Sequence, residues 1–358
     1  MTARNILICL HDFSRGGTER IAIGLAANWV DAGRHVTILC GNQQGGLRDM
    51  VDPRVKVLAV EPPIRRSLLS RWRLGRAMAR QLGNPDVIFL PGNFHLPLAP
   101  ALRRAGAPIV LKVSNPPLPQ GQSNAIGRWL FRRWARAIDG FAALTAGFAR
   151  EVAELAPGKP VRLLHDPVYL HSSSSQRIAP SGIFRILWAG RFEPQKDFGL
   201  ALQTMAALPQ PAHLTMLGDG SLRDQADAMI AKLALSDRVT LAGHVPNIDP
   251  YLADADVLLM TSHYEGQPAV IGEALANGVP VVSTNCSSIL PEMMEIPEAG
   301  RIVATRDPAD LATALVAVCA APRAPRDMLA RLVAPFEPRH CAKAYLDWFD
   351  ALSKQRHG

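Results

Sequence analysis

The sequence predicts an α/β protein made of two doubly wound domains. Three observations carry that reading: a length of 358 residues, strands that read as nearly continuous apolar runs, and a strand–helix rhythm that stops near a Ser-rich stretch and restarts after it. The length exceeds one ordinary domain and suits two of about 150 to 200 residues. Apolar residues make up 48% of the chain and charged residues 20%, which is enough apolar surface for two cores.

In order, NILICL, a polar glycine loop, ERIAIGLAANWVDAG and HVTILCG read as strand, loop, helix and strand. Ile21, Leu25, Trp29 and Val30 recur at helical spacing, and Gly33 ends the helix. HVTILC is the apolar run expected of a parallel strand covered on both faces. DVIFL and PIVLKVS repeat the strand signal at 86–90 and 108–114, with a helix expected between them and another over about 124–138. HDPVYLHSSSSQRIAPSG, residues 165–182, is the linker expectation. The second series then runs FRILWAG, KDFGLALQTMAAL, AHLTMLG, SLRDQADAMIAKLAL, VTLAG, a short helix into DVLLMTS, a helix within HYEGQPAVIGEALANG, VPVVST and DPADLATALVAVCAA. Past Pro335, AKAYLDWFDALSK is a closing helix. The expected boundaries are 1–168, 169–334 and a C-terminal segment 335–358.

The totals exclude several classes. Five scattered cysteines, with no metal-ligand spacing, read as thiols in a reducing compartment. MTARNILICLHDF reads as a first strand and not a signal peptide, and no apolar run reaches spanning length. A cytoplasmic protein is expected. Charge is unevenly shared: residues 1–170 hold 23 Lys/Arg against 11 Asp/Glu, and the remainder holds 16 against 20. The first half therefore suits an anionic surface.

Ligands of open α/β sheets bind beyond the carboxyl ends of the strands, so the loops there are the candidates. After the first strand, Gly16 and Gly17 either admit a ligand to the backbone or form a plain tight turn before the helix at Thr18 and Glu19. After FRILWAG, Arg191 and Lys196 are either solvated cations or partners of a diphosphate leaving group. Gly218 and Asp219 form a small-residue loop, and His244-Val245 follows VTLAG as a surface histidine or a backbone contact to a nucleobase. In HYEGQPAVIGEALANG, Pro268 fits the first position of a helix and Gly278 its C-terminal exit. Glu265 precedes that helix and Glu273 lies within it, eight residues on. A carboxylate accepts two hydrogen bonds from a vicinal diol, the feature that ribose and hexose share. The pair also fits an acid/base couple of glycoside hydrolysis, but the neighbouring cations favour diphosphate departure.

AGRFEPQKDFGLAL, LGDGSLR, AGHVPN, DADVLLMTSHYEGQPAVIGEALANGVPVVST and SRGGTER together resemble the signature set of family 4 retaining glycosyltransferases. The resemblance covers nearly all of the second domain and only short loops of the first. It implies the GT-B fold, two Rossmann-like domains facing each other across a cleft, with the nucleotide-sugar donor on the second. Arg191 and Lys196 would hold the diphosphate, Glu273 the ribose hydroxyls and Glu265 the sugar hydroxyls near the reacting carbon, with Gly190, Gly218, Asp219, His244 and Val245 completing the donor side. Backbone from Gly266, Gln267, Pro268, Ala269 and Val270 would help hold sugar and phosphate, and Gly16 and Gly17 would close over the phosphates. The resemblance implies retention of configuration with no protein nucleophile and no cofactor or metal. Asp254-Ala255-Asp256 mimics a metal-binding DxD but lies where a helix passes into a strand, and reads as structural. The C-terminal helix would pack back on the first domain.

One departure concerns the acceptor side. Many relatives carry a His at the end of the strand spelled PIVLKVSN here, where this chain has Ser114 and Asn115. His95 is either a substitute or an ordinary helix-start histidine.

Two Arg/Trp-rich stretches, 64–82 and 127–138, combine cations with large aromatics. They fit peripheral contact with the anionic inner leaflet, or aromatics in a core under a solvated basic face. No nucleic-acid module is present. The resulting expectation is a hexosyltransferase using a nucleotide-diphosphate sugar, UDP favoured and GDP next. The acceptor is a lipid-linked glycan precursor of the cell envelope. The alternatives are a soluble small-molecule acceptor and a catalytically degenerate partner subunit.

Overall fold

The computed structural model describes residues 2–357 apart from 15, 68–69, 119–124, 170–181 and 210. Most of the expected linker lies outside the described residues. The chain divides into two units, Met1–Pro167 with Phe336–Gly358, and Val168–Pro335.

The first unit holds seven parallel strands, β1 (Asn5–Leu10), β2 (His35–Cys40), β3 (Lys56–Ala59), β4 (Val87–Leu90), β5 (Ile109–Val113), β6 (Gly140–Ala143) and β7 (Val161–Leu163). They lie in the order β3-β2-β1-β4-β5-β6-β7, so the winding direction reverses between β1 and β4. Ile6, Ile8 and Leu10 of β1 enter one buried cluster, and Leu7 and Cys9 enter another on the opposite face. That alternation is the two-sided burial predicted from NILICL.

Helices α1 (Gly17–Asp31), α2 (Ser70–Met78), α3 (Ala99–Leu102), α4 (Ala125–Ala135) and α5 (Ala146–Leu155) cover the sheet. The single helix expected between β4 and β5 is instead a 3-10 turn over Asn93–Leu98, the four-residue α3 and a second 3-10 turn over Arg103–Ala105. Pro97 and Pro100 remove amide donors that a continuous helix would need. Gly33, at φ +77°, closes α1 as expected.

The second unit holds six parallel strands, β8 (Phe184–Ala189), β9 (Ala212–Leu217), β10 (Val239–Gly243), β11 (Val257–Met260), β12 (Val281–Thr284) and β13 (Gly300–Val303), in the order β10-β9-β8-β11-β12-β13. Its winding reverses between β8 and β11. Helices α6 (Phe198–Ala207), α7 (Arg223–Lys232), α8 (Asp249–Asp254), α9 (Ala269–Ala276), α10 (Leu290–Met293), α11 (Pro308–Ala320) and α12 (Arg326–Arg331) complete it. In α9, Pro268 is the capping residue before the helix and Gly278, at φ +74°, follows its end. Each unit is thus a doubly wound, Rossmann-like parallel sheet, as the sequence predicts.

The closing helix α13 (Pro338–His357) belongs to the first unit. Tyr345 and Phe349 form edge-on and tilted ring contacts with Trp29 and Phe89, and Trp29 Nε1 donates to the Ala342 carbonyl at 3.2 Å. Arg34 and the amide of Ala3 both bond Asp350. Burying one such aromatic is worth roughly 1.5–3 kcal/mol, so α13 is part of this unit's core and not an appendage.

Candidate functional site

In the second unit the switch between β8 and β11 is where an open sheet takes its ligand. The two loops that leave those strands carry Lys196 and Glu265. Lys196 Nζ lies 2.6 Å from Glu265 Oε1, with the two side chains 20% and 11% exposed.

The pair is held by backbone on both sides. After β8 the chain turns through Pro194–Lys196, and Asp197 adopts a left-handed backbone at φ 45° while its carboxylate caps α6 by accepting from Leu200 N–H. The cost of that backbone is met by a dense set of bonds. Arg306, just past β13, donates to Asp197 Oδ2 at 2.6 Å and to the carbonyls of Thr261 and Ser262. Thr261 Oγ1 donates to the carbonyls of Lys196 and Asp197, and it accepts from Trp188 Nε1 at 3.1 Å. On the other loop, Gln195 Nε2 donates to the Tyr264 carbonyl, Glu265 N–H donates to the Cys286 carbonyl, and Ser287 Oγ donates to the Gly266 carbonyl. Arg306, Thr261 and Trp188 escaped the sequence reading because nothing local marks them; only the fold brings them to Lys196.

Glycines let the neighbouring loops close up. Gly218 has φ +127°, and a Cβ there would overlap the Gly190 carbonyl oxygen. A Cβ on Gly190 would press on the Lys196 stem at 3.3 Å. Arg191 is exposed, and its guanidinium makes no hydrogen bond or ion pair among the described residues. Asp219, whose carboxylate accepts from the Gly220 amide, and His244 are exposed, and Val245 is half-buried. Gly266 and Pro268 are buried, Gln267 and Val270 half-buried, and Ala269 exposed. Glu273 is half-buried, in the middle of α9.

Asp254 and Asp256 lie at the opposite, amino edge of this sheet. Asp254 Oδ1 accepts from Arg185 at 2.9 Å, and Asp256 accepts from the Arg185 amide and pairs with Arg323.

In the first unit the loops at the β1/β4 switch converge on Arg66. Its guanidinium bonds Asp12 Oδ2 at 2.7 Å and Glu19, and lies over the Phe94 ring at 5.2 Å. Burial pushes the Asp12 carboxyl up, but the Arg66 and Ser14 hydrogen bonds outweigh it and hold it below its usual range. Glu19 folds back on its own helix start, so that a Cβ on Gly16 would collide with its carboxylate. Gly16 thus serves a local contact as well as the turn. Gly17 is exposed. In sequence Arg66 is one of several arginines; the structure separates it from the surface set.

His95 is 1% exposed, and neither ring nitrogen has a hydrogen-bond partner among the described residues. Burial, with smaller contributions from Arg66 and His11, lowers its pKa to about 3, so the ring is neutral near pH 7. Asn93 accepts from the Ser114 amide at 3.1 Å and donates to the Asn115 carbonyl at 2.9 Å, tying the end of β5 to the β4 loop.

Two family models match the chain: "Glycosyl transferase 4-like domain" over residues 16–166 and "Glycosyl transferases group 1" over residues 183–321. Among curated relatives, the lipopolysaccharide core biosynthesis glycosyltransferase LpsE of Rhizobium meliloti is 32% identical over 144 residues, 39% of this chain and 42% of the relative. A Campylobacter jejuni protein named as an N-acetylgalactosaminyltransferase acting on a diphospho-undecaprenol-linked sugar is 33% identical over 118 residues, 33% of this chain and 32% of the relative. The matches thus span well under half of these relatives' lengths. Among solved structures, Anabaena HepE in complex with UDP and glucose superposes with a TM-score of 0.74 at 18% identity, covering 98% of both chains.

Proposed function

This chain belongs to the family 4 glycosyltransferases of the GT-B fold, and from that premise we propose that it transfers a hexose, with retention, from a nucleotide-diphosphate sugar to a lipid-linked envelope glycan precursor. The observation that carries the donor assignment is the Lys196–Glu265 pair at the β8/β11 switch, beside the unpaired Arg191. The cations face a diphosphate and the carboxylate faces hydroxyls, and a sugar nucleotide presents both within one molecule.

The acceptor oxygen bonds the anomeric carbon on the face that the diphosphate leaves. The carbon–phosphate-oxygen bond breaks, and a phosphate oxygen takes the acceptor proton. Arg191 and Lys196 stabilise the charge growing on the leaving group. Glu265 orients the sugar, and Glu273 takes the ribose diol. UDP is the favoured nucleotide, consistent with the ligand of the HepE structure. No metal is assigned, because the only DxD carboxylates are engaged by Arg185 and Arg323 at the far edge of the sheet. The envelope acceptor follows from the names of the relatives. The proposed contact with an anionic leaflet is peripheral, through 64–82 and 127–138; among the described residues no helix is long and apolar enough to cross a membrane.

The test is calorimetry of UDP, GDP, ADP and their sugar conjugates without metal, followed by transfer assays. One nucleotide family binds, Glu273→Ala loses it, and Glu265→Ala keeps binding while turnover falls by about two to three orders of magnitude. A chelator leaves transfer unchanged. Binding of no nucleotide, or full turnover in Glu265→Ala, defeats the reading.

A further inference from the structure

Residues 62–138 contain thirteen Lys/Arg and a single acidic residue, Asp86. Asp86 is spent at the amino edge of the sheet, where it accepts from Asn5. Within this stretch α2, the broken segment around α3, and α4 pack side by side in the first unit. Between them lies a half-open cavity of about 430 Å³. Its walls include Trp72 and Arg76 of α2, Arg80 from the turn after it, Arg104 after α3, and Arg133 and Trp134 of α4.

Two features distinguish this cavity from a diffuse basic face. Four arginines from three elements line one concavity, and none of them has a carboxylate partner among the described residues. By contrast Arg103, adjacent in sequence, is neutralised by Asp139 at 2.7 Å. Four unpaired arginines around a cavity of this size fit a phosphate ester, since each planar fork can offer two parallel N–H bonds to a phosphate oxygen pair. The tryptophans meet edge to face, with centroids 6.2 Å apart, and supply an apolar wall beside that charge.

The surroundings identify which phosphate. Trp72 is 51% exposed, and on α4 Ile126 and Trp129 are 71% and 59% exposed. Ile126, Trp129 and Arg133 share one face of α4 by helical spacing, and the Arg133 guanidinium lies 5.7 Å from the Trp129 ring centroid. Apolar side chains standing free beside a cationic pocket match the layering of a membrane interface, with indole and aliphatic groups below the headgroup plane and arginines at the phosphates. A soluble phosphate leaves those apolar groups without a role.

We propose that this cavity is a headgroup site: it takes the phosphate of an anionic glycerophospholipid, and it gives the first unit a built contact with the membrane in place of a merely electrostatic one. The inference deepens the peripheral contact proposed above and rests on it, but it does not depend on the donor chemistry.

The experiment is co-sedimentation of the full chain with phosphatidylcholine vesicles containing phosphatidylglycerol, and with vesicles of matched surface charge whose anionic lipid carries a carboxylate. Two variants lose equal charge: Arg76→Gln/Arg104→Gln inside the cavity, and Arg73→Gln/Arg132→Gln on the same surface outside its lining. Charge loss alone weakens both by about fivefold per arginine. The cavity variant loses roughly a further tenfold for each phosphate hydrogen bond removed, and only on phosphatidylglycerol. Glycerol 3-phosphate binds the wild type by calorimetry, fails to bind the cavity variant and competes with vesicles. Equal losses in the two variants, or no preference between the two vesicles, overturn the headgroup site and leave a diffuse basic contact. Binding of glycerol 3-phosphate without vesicle binding overturns the lipid source. Binding of neither overturns the membrane contact as well, while the nucleotide calorimetry stands or falls separately.

Discussion

Replacing His95 by Leu separates a buried structural ring from an acceptor-side catalytic one. The ring is 1% exposed and without hydrogen-bond partners among the described residues, and burial is the main reason its pKa falls from 6.5 to about 3. A histidine depressed in the folded state favours folding only where it is neutral in the unfolded chain. Its contribution is therefore complete above pH 6.5 and is lost as pH falls toward 3. Between pH 7 and pH 5 the unfolded ring becomes mostly charged while the folded one stays neutral, which lowers stability by about 2 kcal/mol for this one group. Neighbouring His11, also depressed by burial, adds to the slope in the same direction. Urea unfolding of wild type and His95→Leu at the two pH values isolates the His95 share as the difference in slope. The variant is close to wild type in stability at pH 7, because removing a buried polar group with no partner offsets the changed shape. Parallel pH slopes in the two proteins would refute the burial argument. Lost transfer with unchanged stability would show that the ring serves the acceptor.

Two further outcomes follow from the packing. Gly218→Ala places a Cβ on the Gly190 carbonyl at φ +127° and costs several kcal/mol of unit-two stability, together with nucleotide binding, whereas Gly243→Ala, at φ +75° with open space around it, costs only about 1 kcal/mol; equal melting losses in the two would show that the loops are not in backbone contact. Lys112→Met removes the ammonium that bonds Asp166 at 2.7 Å in a buried pair and costs about 3 kcal/mol; because burial raises the Asp166 carboxyl, its contribution is present below pH 3.8 and lost as pH rises toward the folded pKa, so the variant loses stability from pH 4 to 7 more steeply than wild type, and a flatter profile in denaturant melts contradicts this.

The fold was legible where elements were long. Six-residue apolar strands such as β1, β2 and β8 declare themselves, and helices such as α1 and α11 carry clear spacing and caps. Strands β3, β6, β7 and β13 did not, because KVLA, GFAA, VRL and GRIV are as short as β4 and β11 but carry Lys, Gly or Arg where VIFL and VLLM are apolar throughout. The segment between β4 and β5, expected as one helix, is broken because Pro97 and Pro100 remove two amide donors within it. At the candidate site, Lys196, Arg191 and Glu265 could be picked out because they sit in loops after strands, where a parallel sheet places its ligands, and Glu273 because it lies in the helix that leaves one of those loops. What could not be read was pairing at a distance. Lys196 and Glu265 are 69 residues apart, Arg306 reaches Asp197 across 109, and Arg66 reaches Asp12 across 54. Such contacts depend on strand order, which no local pattern states.

The pairing of Lys196 with Glu265 also bears on what the site selects. Arg191 is available as it stands, but Lys196 is engaged, and taking it for a phosphate strips Glu265 of the only charge partner it has among the described residues. A carboxylate 11% exposed and left alone is unfavourable, and the bonds from Arg306, Thr261 and Ser287 fix the loops that would otherwise carry it toward water. A ligand that brings only phosphate therefore gains one contact at the expense of another. A ligand that brings phosphate with hydroxyl donors one sugar away compensates both groups together. On the proposed reading, discrimination in favour of the intact sugar nucleotide comes from this exchange of partners, and it needs no side chain that reads the base.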